Sequence, residues 1–128
     1  MNLLLDTHLL LWAAGNPDRL SETARTLIVD ENNTLFFSAA SVWEIVIKSG
    51  LGRNDFSVDP DLFRRSLQDN GYLELPIMSQ HVLAVSHLPD LHKDPFDRML
   101  VAQAQSEGFL LLTADERVAL YPGPVQRV

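Results

Sequence analysis

The chain has 128 residues, a formal net charge of −7 and no cysteine, with a sequence pI of about 4.8. A single domain of this length can bury roughly two-thirds of the surface that its unfolded chain exposes, so no staples are needed. The missing cysteines exclude disulfides, thiolate metal ligands and a cysteine nucleophile, and are compatible with a reducing cytosol; the acidic balance argues against holding nucleic acid by a broad basic surface.

The first stretch, Leu3-Leu4-Leu5, is an apolar run too short for a helix, and it stops on Asp6 and Thr7. A run without polar alternation is what a strand covered on both faces looks like, which favours a parallel sheet flanked by helices. Ligands of such sheets bind beyond the carboxyl ends of the strands, so Asp6 is expected at a site. Thr7 to Ala14 is apolar nearly all round and reads as a buried helix, ended by Gly15-Asn16-Pro17. Ser21 begins a second helix through about Asp30, and Glu31-Asn32-Asn33 turns into a second buried strand, Thr34 to Phe37. Ser38 is a plausible cap for a helix from Ala39 to Ser49 that closes at Gly50, and a Gly/Asn/Asp-rich loop follows from Leu51 to Asp59.

Asp59-Pro60 reopens a helix that runs to Asn70 and stops at Gly71, handing over to a third strand, Tyr72 to Leu75. Its single Glu74 suggests an edge position. Ser79 is expected to cap the next helix, Gln80 to His87. Asp94-Pro95-Phe96-Asp97 then combines an acidic cap, a proline in the first turn and a second acid three residues on, a strong helix-start signal. That helix continues to Gly108, and Phe109 to Leu112 is a fourth strand as apolar as the first. Thr113-Ala114-Asp115 lies just past its end, before a short helical turn from Glu116 to Leu120 and a final strand near Val125 to Val128. Strands alternating with helices imply a single α/β domain over residues 1–128, a doubly wound α/β/α sandwich. No apolar run approaches the ~20 residues of a membrane helix, and no charged n-region with an apolar h-region precedes the first strand. A soluble, unexported, cytoplasmic protein without a membrane role is therefore expected.

Four acids stand out against this scaffold. Asp6 ends a buried strand, although it could equally cap the helix that follows. Glu44 interrupts Val42-Trp43 and Ile45-Val46-Ile47 on a helix with few polar positions, and a buried carboxylate costs several kcal/mol unless it is paired or metal-bound. An exposed Glu44-to-Lys48 pair would be worth only about 0.2–0.5 kcal/mol and gives no reason for so apolar a setting. Asp97 shares its helix side with Leu100, Val101 and Ala104, which points it inward, whereas Asp94 is the natural cap at the boundary. Asp115 follows a buried strand and could cap the next turn, with Thr113 helping. The histidines, His8, His81, His87 and His92, lack metal-ligand spacing, and ordinary core or surface roles are expected for each. Four carboxylates without histidine or cysteine suit hard divalent cations, above all Mg²⁺ or Mn²⁺, which activate water and stabilise the leaving oxygen in phosphodiester hydrolysis. The residues alone lead to metal-dependent phosphoryl chemistry and do not identify the substrate.

Four blocks resemble one known family in its order: Leu4-Leu5-Asp6-Thr7-His8 with Leu10-Leu11-Trp12; Ser38-Ala39-Ala40-Ser41-Val42-Trp43-Glu44-Ile45; His92-Lys93-Asp94-Pro95-Phe96-Asp97-Arg98-Met99-Leu100-Val101-Ala102-Gln103-Ala104; and Leu112-Thr113-Ala114-Asp115. The sequence resembles the PIN-domain ribonucleases, especially VapC-like toxins of toxin–antitoxin pairs, over almost its whole length. The resemblance implies a central parallel five-stranded sheet of order 3-2-1-4-5, Mg²⁺-dependent (or Mn²⁺-dependent) endoribonuclease activity, an RNA substrate, a cognate antitoxin and a homodimer. It further implies that Asp6, Glu44, Asp97 and Asp115 are the acidic metal-binding and catalytic positions, with Asp94 and Thr113 as recurrent neighbours. Cations available for RNA are Lys48, Arg53, Arg64, Arg65, Lys93 and Arg98. Two other readings compete. An Asp-based phosphatase would normally end its first strand in two acids flanking one residue, whereas Thr7-His8 follows Asp6; a non-catalytic metal- or phosphate-binding module of related fold would need no full acidic quartet.

Overall fold

The computed structural model describes residues 1–51 and 57–128; Arg53 and the centre of the loop expected after Gly50 lie outside them. The described elements run β1 (Asn2–Leu5), α1 (Thr7–Gly15), α2 (Glu22–Val29), β2 (Thr34–Ser38), α3 (Ala39–Gly50), α4 (Pro60–Asp69), β3 (Leu73–Leu75), α5 (Ser79–Val85), α6 (Pro95–Glu107), β4 (Leu110–Thr113) and β5 (Val125–Arg127), with 3-10 turns at Pro17–Arg19 and Val118–Leu120. All pairings are parallel and the strand order is β3-β2-β1-β4-β5. Leu3, Leu4 and Leu5 are fully buried, as an apolar strand at the centre of a covered sheet must be. One core layer gathers Leu3, Leu5, Leu9, Leu10, Phe37 and Ile45. The opposite layer gathers Leu4, Leu100, Val101, Ala104 and Leu111. The alternation of Leu3 and Leu5 against Leu4 is the period-two geometry of a strand reaching both sides.

The two edges carry the short strands. Glu74 on β3 accepts a 2.6 Å hydrogen bond from Arg64 Nε, which accounts for a carboxylate in an otherwise apolar strand. The helix α1 is less enclosed than its composition suggests: Thr7, Leu9 and Leu10 are buried, His8 is exposed, and Trp12 is half-buried with the Arg19 guanidinium 5.0 Å above its ring. An aromatic face covered by a cation tolerates this partial exposure. The helix α5 begins at Ser79 rather than after it. Its cap position is Met78, which has no hydroxyl to accept the first-turn N–H groups; instead its own N–H donates to Nδ1 of the buried His81 at 3.0 Å, the reciprocal half of a capping box. At the other end of the chain, α6 stops at Gly108 in the left-handed region, φ 71°, with its N–H on the Ala104 carbonyl. A Cβ there would meet nothing within 4 Å. Gly108→Ala should therefore lose only conformational energy, about 1–2 kcal/mol, measurable as a lower denaturant midpoint at unchanged slope.

Candidate active site at the carboxyl edge of the sheet

The chain leaves β1 toward β2 on one side and later returns to place β4 on the other, so the carboxyl ends of β1 and β4 flank the point where the winding reverses. Crevices form there because the connecting helices diverge to opposite faces. Asp6 stands at this point, 3% exposed. Its Oδ1 accepts from the Leu9 N–H at 2.9 Å, capping α1, and its Oδ2 accepts from the Thr113 hydroxyl at 2.6 Å. Asp6 is thus both a helix cap and a site carboxylate. Burial holds its pKa above the ordinary carboxylate value, against the pull of the Thr113 and Leu9 donors.

Glu44 comes from the first turns of α3, which Ser38 starts by accepting the Ala40 N–H at 2.9 Å while its hydroxyl donates to Gln103 on α6 at 2.5 Å. That pair locks α3 to α6, and the Thr7 hydroxyl, donating to Ser41 Oγ at 2.8 Å, locks it to α1. Glu44 itself is buried. Its Oε2 receives Lys48 Nζ at 2.5 Å, whereas its Oε1 is buried without a hydrogen-bond partner. The i,i+4 pair weighed as an alternative therefore exists, between a buried Glu44 and a partly exposed Lys48, and satisfies only half of the carboxylate.

Asp94 caps α6, its Oδ1 accepting from the N–H groups of Phe96 and Asp97 at 2.9 and 3.0 Å. Asp97 lies one turn on, and its carboxyl is raised from 3.8 to about 6, first by burial and then by the negative charges of Asp94, Asp6 and Glu44, with His92 opposing. Those three acids thus act on Asp97 through one field across β1, α3 and α6. Asp115 is placed differently. Its N–H donates to Thr113 Oγ1 at 3.0 Å, which links it to Asp6, but its carboxylate turns to Arg117, accepting the N–H at 2.7 Å with the guanidinium at 3.6 Å. Partial burial works to raise its pKa and is outweighed by those Arg117 contacts, which hold it below the ordinary value. The expected role of Asp115 as turn cap is realised, and its approach to the other acids runs through Thr113.

Among the described residues, no three acidic or histidine side chains converge into a ready-made metal cage. Each carboxylate instead faces a donor of its own: Thr113 for Asp6, Lys48 for Glu44, His92 for Asp97 and Arg117 for Asp115. Two features nevertheless fit a hard cation, the bare buried Oε1 of Glu44 and the burial of Asp97 among neighbouring acids, which lifts its carboxyl. His92 was expected to be ordinary. It is not, since its Nε2 lies 3.3 Å from Asp97 Oδ2 and its Nδ1 2.7 Å from the Tyr121 hydroxyl. The sequence signals were its place five residues before Asp97 and at the head of the third block; nothing marked Tyr121.

Comparison with solved structures gives a chain of VapBC2 from Rickettsia felis, bound to a DNA fragment from their promoter, at TM-score 0.72 and 16% identity, covering 99% of this chain and 98% of that one. A chain of DNA-bound VapBC from Salmonella typhimurium follows at TM-score 0.69, 14% identity and coverages of 99% and 98%. A chain of VapBC-1 from nontypeable Haemophilus influenzae matches at 0.60, 19% and coverages of 100% and 97%. At these identities the likeness is one of fold. No curated protein matches the sequence significantly. The PIN domain model, however, matches residues 3–123, a span that holds Asp6, Glu44, Asp94, Asp97, Thr113 and Asp115 together, and the chain belongs to the PIN domain family.

Proposed function

We propose that this protein is a metal-dependent endoribonuclease and the toxin of a toxin–antitoxin pair. The observation that carries the reading is the shared field of Asp6, Glu44 and Asp97 at the reversal point of the sheet, with one buried Glu44 oxygen left bare. Asp6, Glu44 and Asp97 would hold Mg²⁺ or Mn²⁺, with Asp115 at the margin beside Thr113. Bound there, such an ion supplies Lewis-acid stabilisation of a phosphodiester and lowers the pKa of an attacking water. The chain contributes the rest. Thr113 and the Leu9 N–H fix both oxygens of Asp6, so that carboxylate is oriented before any ligand arrives. Lys48 offsets the charge of Glu44 and eases the approach of a polyanion to an acidic cleft.

The basic side chains divide into two groups. Arg98 is committed to structure, donating to the carbonyls of Pro89, His92 and Val85 and to the Tyr121 hydroxyl, and Arg64 is paired with Glu74. Lys93 and Arg65 are exposed. Lys93→Glu should therefore weaken RNA binding with little change in melting temperature, whereas Arg98→Glu should destabilise the fold; equal effects on binding alone would refute that division. The antitoxin reading draws support from the VapBC relatives and from exposed apolar side chains, Trp43, Val46 and Ile47 on α3 and Val82 and Leu83 on α5. A pocket of about 270 Å³ lies between these helices and α6, lined by Trp43, Val82, Val85 and Met99. Exposed apolar surface of this kind marks a protein interface, with an antitoxin or in a homodimer. Purified protein should cut RNA with Mg²⁺ or Mn²⁺ and stop in chelator. Cleavage that survives thorough chelation refutes the metal reading, and metal binding without cleavage would favour the non-catalytic module.

A further inference from the structure

We propose that Arg98, Tyr121 and His92 form a one-way hydrogen-bond relay that holds Asp97 in place, making His92 and Tyr121 positioning residues for that carboxylate. The inference rests on the reading of Asp97 as a metal ligand. Its direction follows from donor chemistry alone. A guanidinium can only donate, so Arg98 NH1, 2.9 Å from the Tyr121 hydroxyl oxygen, occupies a lone pair there. The single hydroxyl proton then has two possible acceptors, His92 Nδ1 at 2.7 Å and the His92 carbonyl at 3.5 Å. The shorter contact wins, because a hydroxyl hydrogen bond weakens well before 3.5 Å. His92 Nδ1 is consequently an acceptor, the neutral ring carries its proton on Nε2, and that N–H points at Asp97 Oδ2, 3.3 Å away. Asp97 Oδ1 accepts no hydrogen bond among the described residues, so the relay occupies one oxygen and leaves the other for a ligand.

The setting favours a fixed tautomer. Tyr121 and His92 are buried, their rings 5.2 Å apart and tilted, and the Arg98 guanidinium that donates to Tyr121 is anchored by the Pro89 carbonyl at 2.9 Å, with longer contacts to the carbonyls of His92 and Val85. Outer partners that orient a metal ligand commonly change metal affinity by about 10–100-fold when removed. A purely structural His92 would fill space equally well in either tautomer and would not pass a change at Tyr121 on to Asp97.

The test combines ¹⁵N-detected imidazole NMR with Mn²⁺ titration of the full chain. Wild type should show His92 as the Nε2–H tautomer. Tyr121→Phe, which keeps the ring, should mix the two tautomers and weaken Mn²⁺ by about 3–10-fold, while His92→Leu weakens it by about 10–100-fold. His92→Gln, which retains a donor, should recover part of that loss and carries the comparison if the Leu variant fails to fold. A wild-type ring protonated on Nδ1 or on both nitrogens overturns the proposal, as does Mn²⁺ affinity that is unchanged in Tyr121→Phe and His92→Gln. If wild type shows the Nε2–H tautomer but binds no Mn²⁺, the metal reading has failed, and the role of His92 as a ligand-positioning residue falls with it while the relay geometry stands.

Discussion

Asp97→Asn is expected to lower RNA cleavage by at least ~100-fold if Asp97 is the metal ligand proposed above, because removing a direct ligand should cost no less than removing a partner that only orients one. Asp94→Asn should cost less than ~10-fold, since asparagine caps a helix about as well as aspartate and both cap hydrogen bonds, to the N–H groups of Phe96 and Asp97, end on one oxygen. Single-turnover cleavage with saturating Mn²⁺ separates the two, with circular dichroism to establish that each variant is folded. Asp94→Ala completes the set: it should lose about 1 kcal/mol of stability through the missing cap. Equal losses of activity in the two asparagine variants would mean that Asp94 also touches the reacting groups, and the division of labour drawn from the geometry would be wrong.

Stability should fall as pH rises from about 4 to about 6 when the protein is kept in chelator. The carboxyl of Asp97 is raised from 3.8 to about 6 by burial and by its acidic neighbours, and burial raises Asp6 in the same direction. A group with a raised folded pKa binds its proton more tightly in the native state, so its contribution is fully present below the unfolded value and is lost through the folded one. Asp97 is partly exposed, which reduces the effect through solvent screening, and on the order of 1–2 kcal/mol is expected for it. Asp115 contributes with the opposite sign, its depressed value giving stability that is lost as pH falls, so the informative quantity is the difference between wild type and variant. Asp97→Asn should remove most of the loss between pH 4 and 6, and should melt a few degrees above wild type at pH 7 in chelator. Asp6→Asn should also abolish cleavage and melt higher, by less, because its amide would face a Thr113 hydroxyl that now donates to a carboxylate. Excess Mn²⁺ should stabilise wild type more than either variant, since a ligand bound only by the native state stabilises with its occupancy. Parallel melting curves of wild type and Asp97→Asn across pH 4–7 would sink this account.

Much of the architecture was legible because the sequence signals were local. The triple leucine before Asp6 has only one covered environment available to it, and the Asp94-Pro95 pair starts α6 at the expected residue, with Asp94 accepting the expected N–H groups. The order of the strands was a different matter, since it came with the family resemblance and not from periodicity. Errors fell where a long-range partner replaced a local one. Ser79 reads as a cap, yet His81 accepts the Met78 N–H because Glu107, 26 residues further along the chain, holds the other side of the imidazole at 2.9 Å. Lys48 was readable as a partner of Glu44, and the apolar run as a sign that Glu44 is buried; that a buried Glu44 reaches a partly exposed Lys48, so that both hold at once, depends on how α3 lies against α1 and α6. Asp115 was readable in two ways, as a member of the acidic quartet and as a turn cap; its carboxylate accepts the Arg117 N–H at 2.7 Å, so the local reading is the one its hydrogen bond follows.

The hydroxyl of Thr113 meets Asp6 across 107 positions of chain, and this separation sets the order in which the site can be assembled. Synthesis delivers Asp6 long before the strand that lies beside it, so the carboxylate waits without Thr113 while the intervening residues are made. Asp97, too, sits on a helix translated shortly before that strand. A ribosome-bound chain ending before β4 therefore lacks one wall of the crevice beside Asp6. The hydrogen bond that orients the Asp6 carboxylate can therefore form only after β4 has been made and has paired with β1.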